Sequence, residues 1–412
     1  MSDPTPKEQL RAACAGLARV GVAVSGGGDS VAALVLACEA LGVARVQAVT
    51  VDHGLRAESA QEAEGVARLC ARLGVPHQVL RWNGRAVAGN MQDAAREARL
   101  SLIGDWARGR VDAVLLGHTR DDQAETVLMR LARGSGVDGL SGMAAERRAH
   151  GVLWLRPLLG VSRAALRDAL RARGFDWIED PSNADSRFLR VRARQALAAL
   201  APLGIDAEGL VATAGRMRDA RAALDAQTGA AMAAHVCEDR GTVLIGAEVR
   251  DLPDDIRHRL FARLLMALSG APYRPRYGAL RRWLAAGHGP LMGCILAPEG
   301  TGFRLFREAA AVRHLEAPAT GVWDRRWRAE GPVQATLRAM GDEGLVQLSA
   351  QAARGLHPHW RETGLPRAAL AALPGVWRED RMIAAPLALW PQGWVLRARP
   401  LAAMAQDARE SH

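Results

Sequence analysis

One short stretch constrains this chain more than any other. Ser25-Gly26-Gly27-Gly28-Asp29-Ser30 sits between an apolar run, Val20 to Val24, and an apolar helical pattern, Ser30 to Ala40. A strand that breaks at glycines and restarts as a helix is the opening of a βαβ unit. Further strand-like runs follow at Val46 to Val51, His77 to Leu80 and Ala113 to Leu116. Helix-like segments alternate with them at Ser59 to Leu73, Met91 to Arg108 and Asp121 to Arg133. This alternation predicts an α/β fold with a doubly wound parallel sheet, whose ligands collect beyond the carboxyl ends of the strands.

The glycines let the backbone turn tightly and expose successive N–H groups at a helix start, which makes an anion cradle. Ser25 and Ser30 add hydroxyl donors. No lysine follows the glycines, so this is not the Walker loop, and the G-x-G-x-x-G spacing is also missing. Asp29 beside a phosphate would be repulsive unless a cation lay between them, which points to Mg²⁺. The plainer alternative is a glycine turn with Asp29 or Ser30 capping the helix.

Beyond the strand runs the composition shifts. Residues 1–186 carry a net charge of +1 and residues 187–412 a net charge of +9, out of +10 overall. A neutral part joined to a basic part implies a polyanionic partner held by the latter. Residues 190–285 are rich in Ala, Leu and Arg with helical periodicity, and Val243 to Ile245 and, further on, Leu291 to Arg307 are strand-like exceptions. From Ala317 the chain gains Pro, Gly and Trp, with strand-like runs at Leu345 to Leu348 and Met382 to Leu387. The expected organisation is therefore a nucleotide-binding domain over 1–200, a mainly helical domain over 201–316, and a small mixed α/β domain over 317–412, fraying from Ala405. Five scattered cysteines without a C-x-x-C pair argue against a disulfide framework or a zinc ribbon. With no apolar run long enough to span a bilayer, a cytoplasmic protein without membrane contact is expected.

Ser-Gly-Gly-x-Asp-Ser after a first strand resembles the pyrophosphate-binding loop of the N-type ATP pyrophosphatases, the PP-loop superfamily with an adenine nucleotide alpha hydrolase-like fold. Other stretches narrow the resemblance: Val51-Asp52-His53-Gly54-Leu55-Arg56, Gly117-His118-Thr119-Arg120-Asp121-Asp122-Gln123-Ala124-Glu125-Thr126, Arg133-Gly134-Ser135-Gly136, Gly139-Leu140-Ser141-Gly142-Met143, Arg156-Pro157-Leu158-Leu159 and Glu179-Asp180-Pro181-Ser182-Asn183. In this order they are similar to the bacterial tRNA(Ile)-lysidine synthetase family, closely over about the first 195 residues and more loosely over Leu373 to Trp390. Where that family often has Asn, Arg190 is followed here by Val191.

The resemblance implies a ligase that uses ATP and Mg²⁺. A cytidine O2 in the CAU anticodon of a tRNA(Ile) attacks the α-phosphate, pyrophosphate leaves, and free L-lysine then displaces AMP from the base. It assigns ATP binding to Ser25, Gly26, Gly27, Gly28, Asp29, Ser30, His53 and His118, with Asp29 meeting the Mg²⁺. Arg96 and Arg99, three apart on an expected helix, share a face and suit charge on the phosphoryl oxygens. His118, Asp122 and Glu125 have the spacing of one helical face, and the two carboxylates suit a lysine ammonium; helix capping by Asp121 and Asp122 fits the same residues. The expected tRNA contacts are Arg187, Arg190, Arg192 and Arg194, then Arg325, Arg326 and Arg328. Tyr273-Arg274-Pro275-Arg276-Tyr277 is a further basic and aromatic cluster. Two other readings remain open: a tRNA-thiolating PP-loop enzyme, which would want the paired cysteines missing here, and a non-catalytic nucleotide-sensing RNA-binding protein.

Overall fold

The computed structural model describes residues 4–52, 54, 59–82, 91–179 and 187–410, with the side chains of 91–96 and 406–410 excepted. The chain divides into two compact units, Met1–Ala222 and Ala223–His412, rather than three domains.

In the first unit a capped helix, α1 (Pro6–Ala13), precedes the alternating series: β1 (Val20–Ala23), α2 (Gly28–Leu41), β2 (Val46–Asp52), α3 (Ser59–Leu73), β3 (His77–Arg81), α4 (Met91–Ala107), β4 (Ala113–Leu116) and α5 (Arg120–Leu131). These match the expected strands and helices to within one or two residues. Then come α6 (Val137–Leu140), β5 (Glu146–Ala149), β6 (Val152–Leu155), α7 (Arg163–Arg171), α8 (Leu189–Leu200) and α9 (Ala207–His235), inside which the two units divide.

The sheet order is β3-β2-β1-β4-β6-β5, parallel except for β5, which pairs antiparallel with β6. Strands flanked by helices on both faces bury both sides, so β1 and β4 are almost wholly apolar, and Val20, Val22, Ala113, Val114 and Leu115 are fully buried. The Glu146–Ala149 strand is half-exposed and polar, which hides it from apolar patterning.

The chain moves outward from β1 through β2 to β3, then returns to β1's other side as β4. This reversal makes the crevice beyond β1 and β4 the topological switch point of the sheet. The two strands pair in parallel with Ala23 opposite Leu116, so the loops after them leave at the same level. Gly117 permits their contact: a Cβ there would lie 2.7 Å from the Asp29 carbonyl oxygen and 2.9 Å from the Ser30 Cα.

The second unit opens with β7 (Val236–Asp239), β8 (Thr242–Ile245), α10 (Asp254–Ser269), α11 (Tyr277–Ala286), β9 (Gly289–Leu291), β10 (Cys294–Glu299) and β11 (Gly302–Arg307). Its five-stranded sheet, β7-β8-β11-β10-β9, makes this stretch mixed α/β instead of mainly helical. A separate core gathers Trp323, Trp327, Leu337, Trp377 and Trp390 from residues 312–398, around a four-stranded sheet. Leu345 to Leu348, expected as a strand, belongs to the helix Gly341–Ala352. The C-terminal end does not fray at Ala405: the helix Leu401–Glu410 buries Leu401, Met404 and Ala405 in the core of α10, β8 and β11. Among the described residues no single helix is long and apolar enough to cross a membrane.

Gly117→Ala should therefore cost about 1–3 kcal/mol through overpacking and push the 25–30 loop out of place. Denaturant unfolding and nucleotide titration of the variant measure both effects, and wild-type values in each would mean that the two loops are not in rigid contact.

Candidate active site

The loop after β1 is braced from within. Ser30 Oγ accepts from the Ser25 amide at 3.1 Å and donates to the Gly27 carbonyl at 2.9 Å. Gly26 adopts φ +87°, and a Cβ on it would meet Ile178 at 2.9 Å, while the Ile178 amide donates to the Gly26 carbonyl at 3.0 Å. The segment ahead of Glu179 thus clasps the loop. Gly27 is the N-cap of α2 and supplies no side-chain cap, so no such acceptor competes with an anion for the first-turn amides.

The loop after β4 is capped the opposite way. Thr119 and Asp122 form a capping box: Asp122 Oδ2 accepts from the Thr119 amide and hydroxyl, each at 2.9 Å. Helix α5 starts at Arg120, so His118 lies before the helix and not on one helical face with Asp122 and Glu125. The Gly139 to Met143 motif is a turn held by α5. Gln123 pairs with both the amide and the carbonyl of Met143, and Arg130 donates to the carbonyls of Gly139 and Gly142. Arg156 of the R-P-L-L stretch donates to the Ala144 carbonyl at 2.9 Å.

Between the two loops lies a cleft of about 830 Å³. Ser25, Gly27, Gly28, Asp29, Ser30, Arg99, His118 and Asp122 line it, as do Arg163, Arg167, Arg190 and Arg194. Arg96 falls in α4, but its side chain lies outside the described residues, as does His53 altogether. Most of Glu179 to Asn183 is outside them as well.

The electrostatic centre is Arg163, which sequence reasoning passed over. Its Nε meets Asp29 Oδ2 at 2.9 Å, its Nη2 meets Asp122 Oδ1 at 3.0 Å, and its Nη1 meets Glu125 Oε1 at 3.5 Å. It is the first residue of α7, directly after the N-cap Ser162. A cation at a helix N-terminus opposes the helix dipole, and that mismatch was the available signal that carboxylates must hold it.

Glu125, 1% exposed, is shared by three guanidinium groups. Arg194 Nε approaches Oε1 at 2.9 Å and Arg190 Nε approaches Oε2 at 3.3 Å. Spaced i, i+4 on α8, Arg190 and Arg194 turn one face inward to this site, whereas Arg187 and Arg192 are exposed. Val191 beside them is buried. The four arginines expected as one tRNA-contacting group therefore split into two pairs.

Burial pushes the Asp29 carboxyl above its ordinary value, and the bond to Arg163 only partly offsets this. Burial acts the same way on Asp122, but Arg163, the Thr119 amide, Arg190 and His118 together hold it below the usual carboxylate range. The same carboxylates keep Arg163 protonated despite its own burial. Asp29 Oδ1 is buried without a hydrogen-bond partner. Among the described residues no three-ligand His, Cys, Asp or Glu cluster could hold a metal by itself. One orphaned carboxylate oxygen beside an anion cradle nevertheless fits Mg²⁺, which takes one or two carboxylates and completes its shell with phosphate and water.

In the second unit the expected cluster also divides. Arg325 and Arg328 are exposed, but Arg326 is buried, bonded to Glu238 at 2.6 Å and to the Gly241 carbonyl at 2.8 Å. Arg326 is thus a framework residue of this unit. Trp323 and Trp327 beside it are core. Tyr273 and Tyr277 stand at the surface, 72% and 63% exposed.

Residues 5–201 match the model of a PP-loop domain. Over 386 residues the chain is 48% identical to a tRNA(Ile)-lysidine synthase from Ruegeria pomeroyi, spanning 91% of this chain and 90% of that protein. It is 43% identical over 258 residues to the tRNA(Ile)-lysidine synthase of Methylobacterium nodulans, covering 62% of this chain and 76% of the relative. With that of Mesorhizobium japonicum it shares 38% over 376 residues, 85% of this chain and 80% of the relative.

The Asp122 environment yields a pH-dependent expectation. A carboxyl whose folded pKa is depressed adds stability above its unfolded value and loses it as pH falls through the folded value. Asp122→Asn should cost about 1–3 kcal/mol at neutral pH, and the gap to wild type should close below about pH 4. Chemical denaturation across that range checks it. A gap independent of pH would mean that the charge on Asp122 does not contribute to stability.

Proposed function

The chain belongs to the tRNA(Ile)-lysidine synthase family, and on that premise we propose that its cleft uses ATP to join free L-lysine to C2 of the wobble cytidine in the CAU anticodon of a tRNA(Ile). The protein is a carbon–nitrogen ligase with a PP-loop ATP-binding domain. The observation that carries the proposed chemistry is the convergence of an anion cradle, two carboxylates and a shared guanidinium at the β1/β4 switch point.

In this reading the amides and hydroxyls of the Ser25–Ser30 loop hold the β- and γ-phosphates. Asp29 Oδ1 would hold the Mg²⁺, which supplies charge neutralisation for the phosphates when bound. Arg99, with Arg96 on the same helix, stabilises negative charge on the α-phosphate. The cytidine O2 attacks that phosphorus, the bond to the bridging oxygen breaks, and pyrophosphate leaves. The lysine ε-amine then attacks C2 of the adenylated base, and AMP departs with the C2–O bond electrons. The amine must be neutral to attack, so a proton passes from it to a carboxylate. Asp122 Oδ1, which borders the cleft, is the proposed acceptor once the Arg163 guanidinium no longer bonds it, while Glu125, enclosed by arginines, contributes its charge from behind. Within this scheme His118 borders the nucleotide, and His53 is given to the nucleotide by the family resemblance alone.

The basic surface is the proposed tRNA contact: Arg187 and Arg192 in the first unit, Arg325 and Arg328 in the second, with Tyr273 and Tyr277 offering stacking faces. Arg326 supports the surface from inside.

Incubation with ATP, labelled amino acids and tRNA(Ile) bearing CAU tests the reading. Label from lysine should become tRNA-bound with one AMP formed per lysine, and Asp29→Ala should abolish both while remaining folded. Incorporation of a different amine, or sulfur transfer instead, would sink it. For the surface, charge reversal at Arg325 and Arg328 should lower the salt slope of tRNA binding by about 1.5–2 and leave ATP affinity unchanged. An unaltered slope would move the contact elsewhere.

A further inference from the structure

Asp122 has two oxygens with different employment. Oδ2 is committed to the Thr119 cap, and Oδ1 accepts from Arg163. The cap fixes Asp122 in place, so it cannot follow Arg163 if that side chain moves. Glu125 would stay neutralised by Arg190 and Arg194. Departure of Arg163 would therefore take the bonded guanidinium from two carboxylates, Asp29 and Asp122, leaving Asp122 only the unbonded charges of Arg190 and His118. Asp29 stands in the phosphate loop, where a phosphate-bound cation answers it. Asp122 is left with one open oxygen and one missing positive charge.

We propose that Arg163 is the resident counter-ion of the amine subsite, and that ATP vacates this subsite by drawing the guanidinium onto its phosphates. Arg163 has the means to do so. Its side chain is 16% exposed, lines the cleft and touches Asp29 of the phosphate loop directly. A planar guanidinium meets phosphate oxygens in the same forked geometry with which it meets carboxylates. The exchange conserves charge: one guanidinium leaves Asp122 and one ammonium replaces it. It also imposes an order, because an amine arriving first must compete with a covalently tethered cation. Nucleotide and amine binding are then coupled, and the coupling is reciprocal. The inference rests on the reading that free lysine is the amine.

The test is L-lysine binding measured by calorimetry, with and without a non-cleavable ATP analogue and Mg²⁺, on wild type, Arg163→Met and Arg163→Lys. Wild type should bind lysine about tenfold or more tightly with the nucleotide present. Arg163→Met should bind lysine to the same degree in both conditions, and lysine alone should raise its melting temperature. Arg163→Lys should restore the nucleotide dependence, which a merely structural role would not. Thermal melting of each variant shows whether it folds, and the lysine variant carries the test if the methionine variant does not. Nucleotide-independent lysine binding by wild type, or undiminished coupling in Arg163→Met, overturns the proposal. If no protein binds lysine under any condition while another amine binds, the failure belongs to the functional reading instead.

Discussion

The site depends on the close approach of two backbones. Strands β1 and β4 run parallel and in register, and the loops that follow them meet where Gly117 has no side chain. Because the Asp29 carbonyl and the Ser30 Cα would lie within 2.9 Å of any Cβ there, every other residue would force the loops apart. Their contact brings a carboxylate from one loop and a carboxylate from the next within reach of a single guanidinium. The bridge by which Arg163 joins Asp29 to Asp122 could not form at the same distances with the two loops separated by even an ångström or two, since charge-assisted hydrogen bonds fall off steeply beyond about 3 Å.

The cluster shows how a buried site can hold several charges without losing the fold. Three carboxylates and three arginines from α2, α5, α7 and α8 meet here, and each of the carboxylates has at least one guanidinium partner. Removing one member of such a group strands its partners in a poorly solvated place, which costs far more than the intact pairs contribute. A substrate that brings its own charges, phosphates on one side and an ammonium on the other, can exchange partners with the cluster instead of adding to it. A network of shared partners suits a two-stage reaction, in which the charges to be balanced change between the steps.

Much of this was legible along the chain. Apolar runs gave the central strands β1, β2 and β4, because those strands are largely buried on both faces, whereas the parallel strand β6 was passed over although it too is apolar. The glycine-serine loop and the Thr-Arg-Asp-Asp stretch declared themselves as features of strand ends, whereas the capping box of Thr119 with Asp122 emerged only in the structure. The strand β5 did not show, since its half-exposed polar residues carry no apolar pattern. The five-stranded sheet of the second unit was only half visible, and the helix Gly341–Ala352 was misread because a short apolar run fits helix and strand alike. Arg163 was overlooked because one arginine among so many has no local signature, apart from its unfavourable place at a helix N-terminus.

The sequence by itself determined the α/β framework, the glycine turn that joins β1 to α2 and the identity of the family, because apolar runs, glycine turns and ordered motifs are local properties. Tertiary structure alone decided which arginines line the cleft and which face solvent. Arg190 and Arg194 turn inward to Glu125 while Arg192 does not, and Arg326 is buried between exposed neighbours. Identical side chains a residue or two apart differ only in direction, and direction is set by how a helix or turn lies on the residues it covers. A guanidinium becomes a surface contact, a buried brace or a part of the active site according to the carboxylates that the fold brings to it from far along the chain.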